Sequence, residues 1–184
     1  MRNIGIIILF FLFASCDNET LPKPKGFLSL KYQKASYEPL KLKRPFSFEV
    51  PQNSIVKDEP KNWLKIQYPN LKASLDVTYR TIDGNLRELL VESERLVFKH
   101  AVKAEQISSN DYTDAKKRVF GTLYEITGNA ASQIQFHITD STKHFIKGAL
   151  YFRTKPNYDS VLPAVAHIKK DVLKLMETLQ WKEE

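Results

Sequence analysis

From Leu71 to Arg80 the side chains alternate without a break. Leu71, Ala73, Leu75, Val77 and Tyr79 fall on one side, and Lys72, Ser74, Asp76, Thr78 and Arg80 on the other. Successive residues of an extended chain point to opposite faces, so this is a strand with one face on a core and one in water. Such a strand cannot stand alone. It requires paired neighbours and an apolar layer over its dry face. Phe27–Tyr32, Phe46–Val50 and Trp63–Tyr68 carry the same period and read as earlier strands. Val119–Ile126, Ser132–Thr139 and Phe145–Arg153 read as a strand meander, with turns at Gly128-Asn129 and Asp140-Ser141.

Two segments of helical period supply the cover. After an Asp83-Gly84 turn, Asn85 is placed to cap a helix running to about Lys103, with Leu86, Leu89, Leu90, Val97, His100 and Ala101 on its stripe. The second helix begins at Tyr158-Asp159-Ser160, where Asp159 or Ser160 would be the cap. Its stripe is Val161, Leu162, Val165, Ile168, Val172, Leu175, Met176 and Leu179, ending at Trp181. The order predicts a single α+β domain over residues 27–184, an antiparallel sheet with two long helices packed on it. A meander needs no crossover helices, so the two are expected to lie together as one layer.

Ahead of this domain stands a different kind of segment. Met1-Arg2-Asn3 carries one positive charge, Ile4–Phe13 is an unbroken run of ten residues without a polar side chain, and Ala14-Ser15 are small. These are the three parts of a secretory signal, assigned to residues 1–15. The run is too short for a spanning helix, which takes about 20 apolar residues. Small residues followed directly by Cys16 resemble the bacterial lipobox, although Phe13 stands where leucine is usual. There the thiol takes a diacylglyceryl group, the peptide is cut before the cysteine, and the new amine is acylated by a fatty acid such as palmitate.

Cys16 is the only cysteine, so no disulfide can form within the chain. Acylation would consume a thiol that is a liability in an oxidising envelope. One acyl chain holds weakly, at about 0.8 kcal/mol per buried methylene, but several hold firmly. Residues 16–26, with Pro22 and Pro24, read as the lipidated cysteine and a semi-stiff tether. At about 3.1 Å per residue the tether reaches roughly 30 Å. The expectation is a domain lipid-anchored to the inner or outer membrane of the cell envelope, facing the periplasm.

Charge and glycine content narrow the function. The net charge of +7 concentrates near the anchor: residues 17–44 hold seven basic and three acidic side chains, whereas 45–184 hold 20 and 18. A nearly balanced body does not supply the basic face that nucleic acid requires. Six glycines without phosphate-loop spacing exclude a nucleotide cradle. No Gly-x-Ser-x-Gly elbow is present, and Asp58-Glu59 sit in a Pro-bounded loop where solvation is expected. His137 and His144 flank the Asp140-Ser141 turn, and a two-residue turn would bring them together beside Asp140 as a partial metal site. A longer loop would separate them. His100 and His167 read as structural. Gly128-Asn129-Ala130-Ala131 suits either close approach of a partner chain or, more simply, a tight turn. Tyr112, Tyr151 and Tyr158 are candidate interface anchors. The residues thus predict no enzyme, no cofactor and no resident metal, with Cys16 the one assigned site.

Several stretches together resemble the gliding-motility lipoprotein GldD family of the Bacteroidetes. They are Leu21–Gly26, Pro45–Glu49, Asn62–Pro69, Tyr124–Phe136, Thr139–Phe145 and Gly148–Phe152. The likeness runs from the lipobox to the last helix. It implies an accessory, non-catalytic assembly component of the gliding machinery, linked to type IX protein secretion, with lipid on Cys16. It also implies a membrane partner such as the integral-membrane protein GldE, and a PsbP-like sandwich fold. The competing reading is a lipoprotein that binds an envelope glycan or small ligand, which would require a concave pocket with convergent aromatic and polar groups.

Overall fold

A computed structural model describes residues 32, 35–100, 103–153 and 157–182. Cys16, the signal, the tether and nearly all of the expected strand Phe27–Tyr32 lie outside the described residues. Seven strands form one antiparallel sheet in the spatial order β4-β5-β6-β10-β9-β8-β7. They are β4 (Ile55–Asp58), β5 (Leu64–Tyr68), β6 (Ala73–Thr81), β7 (Ala104–Asp114), β8 (Val119–Gly128), β9 (Ile134–Thr139) and β10 (His144–Phe152). The alternating segment is β6, as its period demands, and it lies inside the sheet between β5 and β10. β7, which the sequence pattern does not mark, pairs with β8 along its whole length.

The remaining strands are short straps. β1 (Tyr37–Pro39) pairs with β3 (Glu49–Pro51), and β2 (Phe46–Ser47) pairs with β11 (Gln180–Trp181), the last strand of the described chain. Lys182 N donates to the Pro45 carbonyl at 2.9 Å, which extends the second pair by one bond. Phe46 and Phe48 are fully buried and stack with ring centroids 5.7 Å apart. The strap is thereby nailed to the core. Each such side chain contributes about 1.5–3 kcal/mol by leaving water.

Two helices cover the sheet, α1 (Leu86–His100) and α2 (Tyr158–Thr178). They do not form one layer. The α2 stripe Val161, Val165, Ile168, Val172, Leu175 and Met176 packs with Leu75, Val77, Phe136, Ile146 and Leu150 in the main core. Opposite faces of the same strands meet α1. Glu92 of α1 pairs with Arg80 at 3.2 Å and Lys147 at 3.4 Å, and both cations alternate out of phase with the core residues beside them. The wet face predicted from β6 is therefore partly covered, which explains why β9 is buried at all six positions, including the polar Gln135, His137 and Thr139. Strand period alone cannot reveal a helix that returns over the polar side.

One helix cap differs from expectation, and the other stands where it was expected. Asn157, not Asp159 or Ser160, occupies the N-cap position of α2, and Ser160 donates its hydroxyl to the Asn157 carbonyl at 2.8 Å. Asn85 accepts the Asp83 amide through Oδ1 at 3.0 Å, while its own carbonyl takes the Leu89 amide at 3.1 Å, opening α1.

Candidate functional site

The β9–β10 hairpin decides the fate of the two histidines. Thr139 pairs with Phe145 and His137 with Lys147, so Asp140–Lys143 form a longer loop than the two-residue turn that would join the imidazoles. His137 lies on the α1 face, stacked on Phe145 at 5.8 Å and near Tyr124. Burial pushes its pKa down, and its buried Nδ1 has no hydrogen-bond partner. His144 begins β10 on the other face, where Tyr79 Oη lies 2.8 Å from its Nδ1 and Trp181 stacks on its ring at 5.1 Å. The sheet stands between them. Among the described residues no cluster of three metal-ligating side chains occurs.

Asp140 instead organises the turn. Its Oδ1 accepts the amides of Thr142, Lys143 and His144 at 2.8–3.0 Å, and its Oδ2 accepts the Thr142 hydroxyl at 2.8 Å. Burial alone would raise its pKa, but these donors outweigh it and hold the carboxyl down at about 2. Four donors on one carboxylate let the chain turn with Ser141 at φ 67°, a left-handed conformation rare for a residue with a Cβ.

This turn forms one side of a cleft of about 860 Å³ at the end of the sheet. The β7–β8 turn forms another side, contributing Lys116, Lys117 and Arg118, and β11 closes it with Gln180, Trp181 and Lys182. Tyr79, Thr81 and His144 line it from β6 and β10. The inner parts are braced by the protein itself. Arg118 Nη2 donates to the Asp140 carbonyl and to Thr142 Oγ1, Trp181 Nε1 donates to the Arg118 carbonyl at 2.9 Å, and Lys117 Nζ donates to the Glu177 carbonyl. Lys117 also pairs with Asp114 at 3.4 Å. Asp140 is the one carboxylate in a lining that holds five cations.

A second polar cluster lies under α2. Asp171 is only 4 % exposed and accepts the Tyr37 hydroxyl at 2.8 Å. Burial pushes its carboxyl above the ordinary range, against the opposing pull of Tyr37, His167 and Tyr68. Tyr68 Oη and Asp171 Oδ2 lack partners of hydrogen-bonding geometry, and burial, with the charge of the nearby Asp171 carboxylate, pushes the Tyr68 phenol up. His167, one turn earlier, stacks on Tyr32 at 4.4 Å. The side chain of His100 lies outside the described residues.

The sequence model of the family described as gliding motility lipoprotein GldD matches residues 17–181. The chain belongs to that family. Membership makes it a lipoprotein associated with gliding motility, and the family's character implies a membrane-anchored place in the cell envelope. No curated protein shows a significant match to the chain. No helix among the described residues is long and apolar enough to cross a membrane.

The other sites singled out in the sequence resolve into packing. Gly128 adopts φ 85°, and its carbonyl takes the Ala130 amide at 2.9 Å. Ala130, Ser132 and Gln133 are buried, with Gln133 Nε2 donating to the Ala130 carbonyl at 2.9 Å, so this GldD family segment is a tight internal turn. Asn129 stays at the surface and accepts the first amide of α2, from Tyr158, at 3.0 Å. Tyr112, Tyr151 and Tyr158 are half-buried rather than free anchors. Asp58 pairs with Arg44 at the surface. The cationic cleft escaped sequence reading because its side chains come from four separated segments, although the Lys116-Lys117-Arg118 run was a visible signal.

Proposed function

We propose that this GldD family lipoprotein is a non-catalytic assembly component of the gliding apparatus, coupled to type IX secretion. Acyl chains on Cys16 hold it at a bilayer, and its domain docks a subunit of the machinery, with an integral-membrane protein of the GldE kind as the expected partner. The carrying observation is the family match over residues 17–181, which starts at the residue after Cys16. The separation of His137 from His144 by the sheet supports a role without catalysis, because it takes apart the partial metal site that the sequence offered. Helical cover on both faces of the sheet supports the PsbP-like sandwich, a statement about architecture and not activity.

The test is gene deletion with complementation by the native chain and by Cys16→Ser. Loss of surface spreading and of type IX cargo secretion is expected on deletion, restored by the native chain alone. Normal spreading and secretion without the gene would refute the assembly role. Mass spectrometry of the native protein showing an unmodified residue 16 would refute the anchor.

A further inference from the structure

The cleft between the β7–β8 turn, the β9–β10 turn and β11 has a charge balance that its own fold does not use. Lys116, Lys143 and Lys182 project from three different segments around it, and none has a carboxylate partner among the described residues. Glu183 and Glu184 follow Lys182 in sequence and lie outside the described residues. Asp140 brings a single negative charge to a lining with five cations, and its two oxygens accept from three amides and a hydroxyl rather than from a lysine. Like charges converging on a concavity repel one another and raise the local affinity for an anion. The floor is already fixed by the bonds of Arg118, Lys117 and Trp181, so an anion entering would find cations placed in advance.

We propose that this cleft binds a phosphorylated sugar, free or as the headgroup of a lipid. The lysines on the rim meet the phosphate as mobile point charges. Trp181, backed on one face by the His144 ring and lining the cleft, is an aromatic surface of the kind that covers the apolar face of a pyranose. A volume of about 860 Å³ suits one or two sugar units. A lining drawn from two turns, two strand ends and the two-residue β11 is short for an extended acidic peptide, which would need a long sheet edge or groove. The site gives the ligand-binding alternative a place and a chemistry, and it stands apart from the assembly role, because a failed titration would leave a deletion phenotype intact.

The chain has two tryptophans, Trp63 and Trp181. In the full-length protein held in a neutral detergent, Trp63→Phe leaves Trp181 as the reporter. Titration with glucose 1-phosphate is expected to change its emission saturably, with affinity falling as salt is raised. Lys143→Gln with Lys182→Gln should weaken binding at least tenfold, while Lys57→Gln with Lys61→Gln, away from the cleft, should leave it unchanged. Glucose should give no response. Lipid A dispersed in the same detergent separates the sources: a response to both ligands assigns recognition to the headgroup alone, and a response to lipid A alone assigns it to the lipid-borne form. The proposal is overturned by no saturable response to either ligand, by equal responses to glucose and its phosphate, or by equal losses in the two lysine pairs. Tighter binding of a polyglutamate peptide than of either phosphosugar would overturn it in favour of an acidic protein partner.

Discussion

Gly148→Ala is the sharpest test of the sheet's packing. Gly148 of β10 stands directly opposite Phe136 of β9, and the Phe136 ring lies over it. A Cβ at position 148 would sit 2.2 Å from Phe136 Cε1 and 2.3 Å from Cζ. Carbon contacts are comfortable at about 3.5–4.0 Å, so the ring would have to retreat by more than about 1 Å. It has nowhere to go, being 1 % exposed in the main core. Two effects oppose each other. Replacing glycine lowers unfolded-state entropy and would stabilise by about 0.4–1 kcal/mol, whereas overpacking a filled core costs about 1–3 kcal/mol. The second wins by about 1–2 kcal/mol, which at about 2–4 °C per kcal/mol lowers Tm by roughly 2–8 °C. Thermal unfolding by circular dichroism of wild type, Gly148→Ala, Phe136→Leu and the double variant completes a cycle. The double variant should be more stable than the sum of the singles predicts, by about 1 kcal/mol, because leucine vacates the space the methyl needs. A Gly148→Ala protein melting at or above wild type, or strict additivity, would refute the reasoning.

Asp140→Ala should cost about 1–2 kcal/mol by releasing three turn amides, read as a drop in Tm; a change within error would deny the carboxylate its organising role. Because the folded pKa of Asp140 is depressed to about 2, its stabilisation is complete above the unfolded carboxylate pKa of about 3.9 and is lost as pH falls through the folded value. Acid melts of wild type should therefore converge on those of the alanine variant below pH 2. Asp171 has the opposite sign. Its pKa is raised, so its contribution is fullest below about pH 3.9 and is lost as pH rises through the folded value. Asp171→Asn should match or exceed wild type in Tm at pH 7, and a large loss there would show that the buried charge is satisfied. Tyr37→Phe should lower Tm at neutral pH by leaving that carboxylate without its donor, at a cost of about 1–3 kcal/mol.

Some of this was legible in the residues and some was not. The alternation of β6 and the stripe of α2 named their elements because each buries one face only, the case in which period reports burial. β7 escaped because Glu105, Gln106, Ser108, Ser109, Asn110 and Asp111 are all exposed: a polar edge strand is held by its ladder to β8, not by apolar side chains. β9 misled in the opposite way. Gln135, His137 and Thr139 alternate as a wet face should, yet α1 lies over that side. The histidine pairing turned on loop length, which Asp140 sets through bonds that the sequence does not display. The assignment of lipid to Cys16 rests on the neighbours Ala14 and Ser15 and on no fold, and it lies outside the described residues.

The strap formed by β1, β2 and β3 determines where traction would enter the domain. A pull on the N-terminal end first meets the Tyr32 stack on His167, then the Tyr37 bond to Asp171, then a ladder of three residue pairs opened from its outer end by the Gln52–Ser36 bond. Such a ladder peels one bond at a time, while the long strands behind it would have to be torn apart along their length. Under a load applied at that end the strap would unroll as far as Phe46, whose burial and pairing with β11 would stop the peel before the sheet is strained.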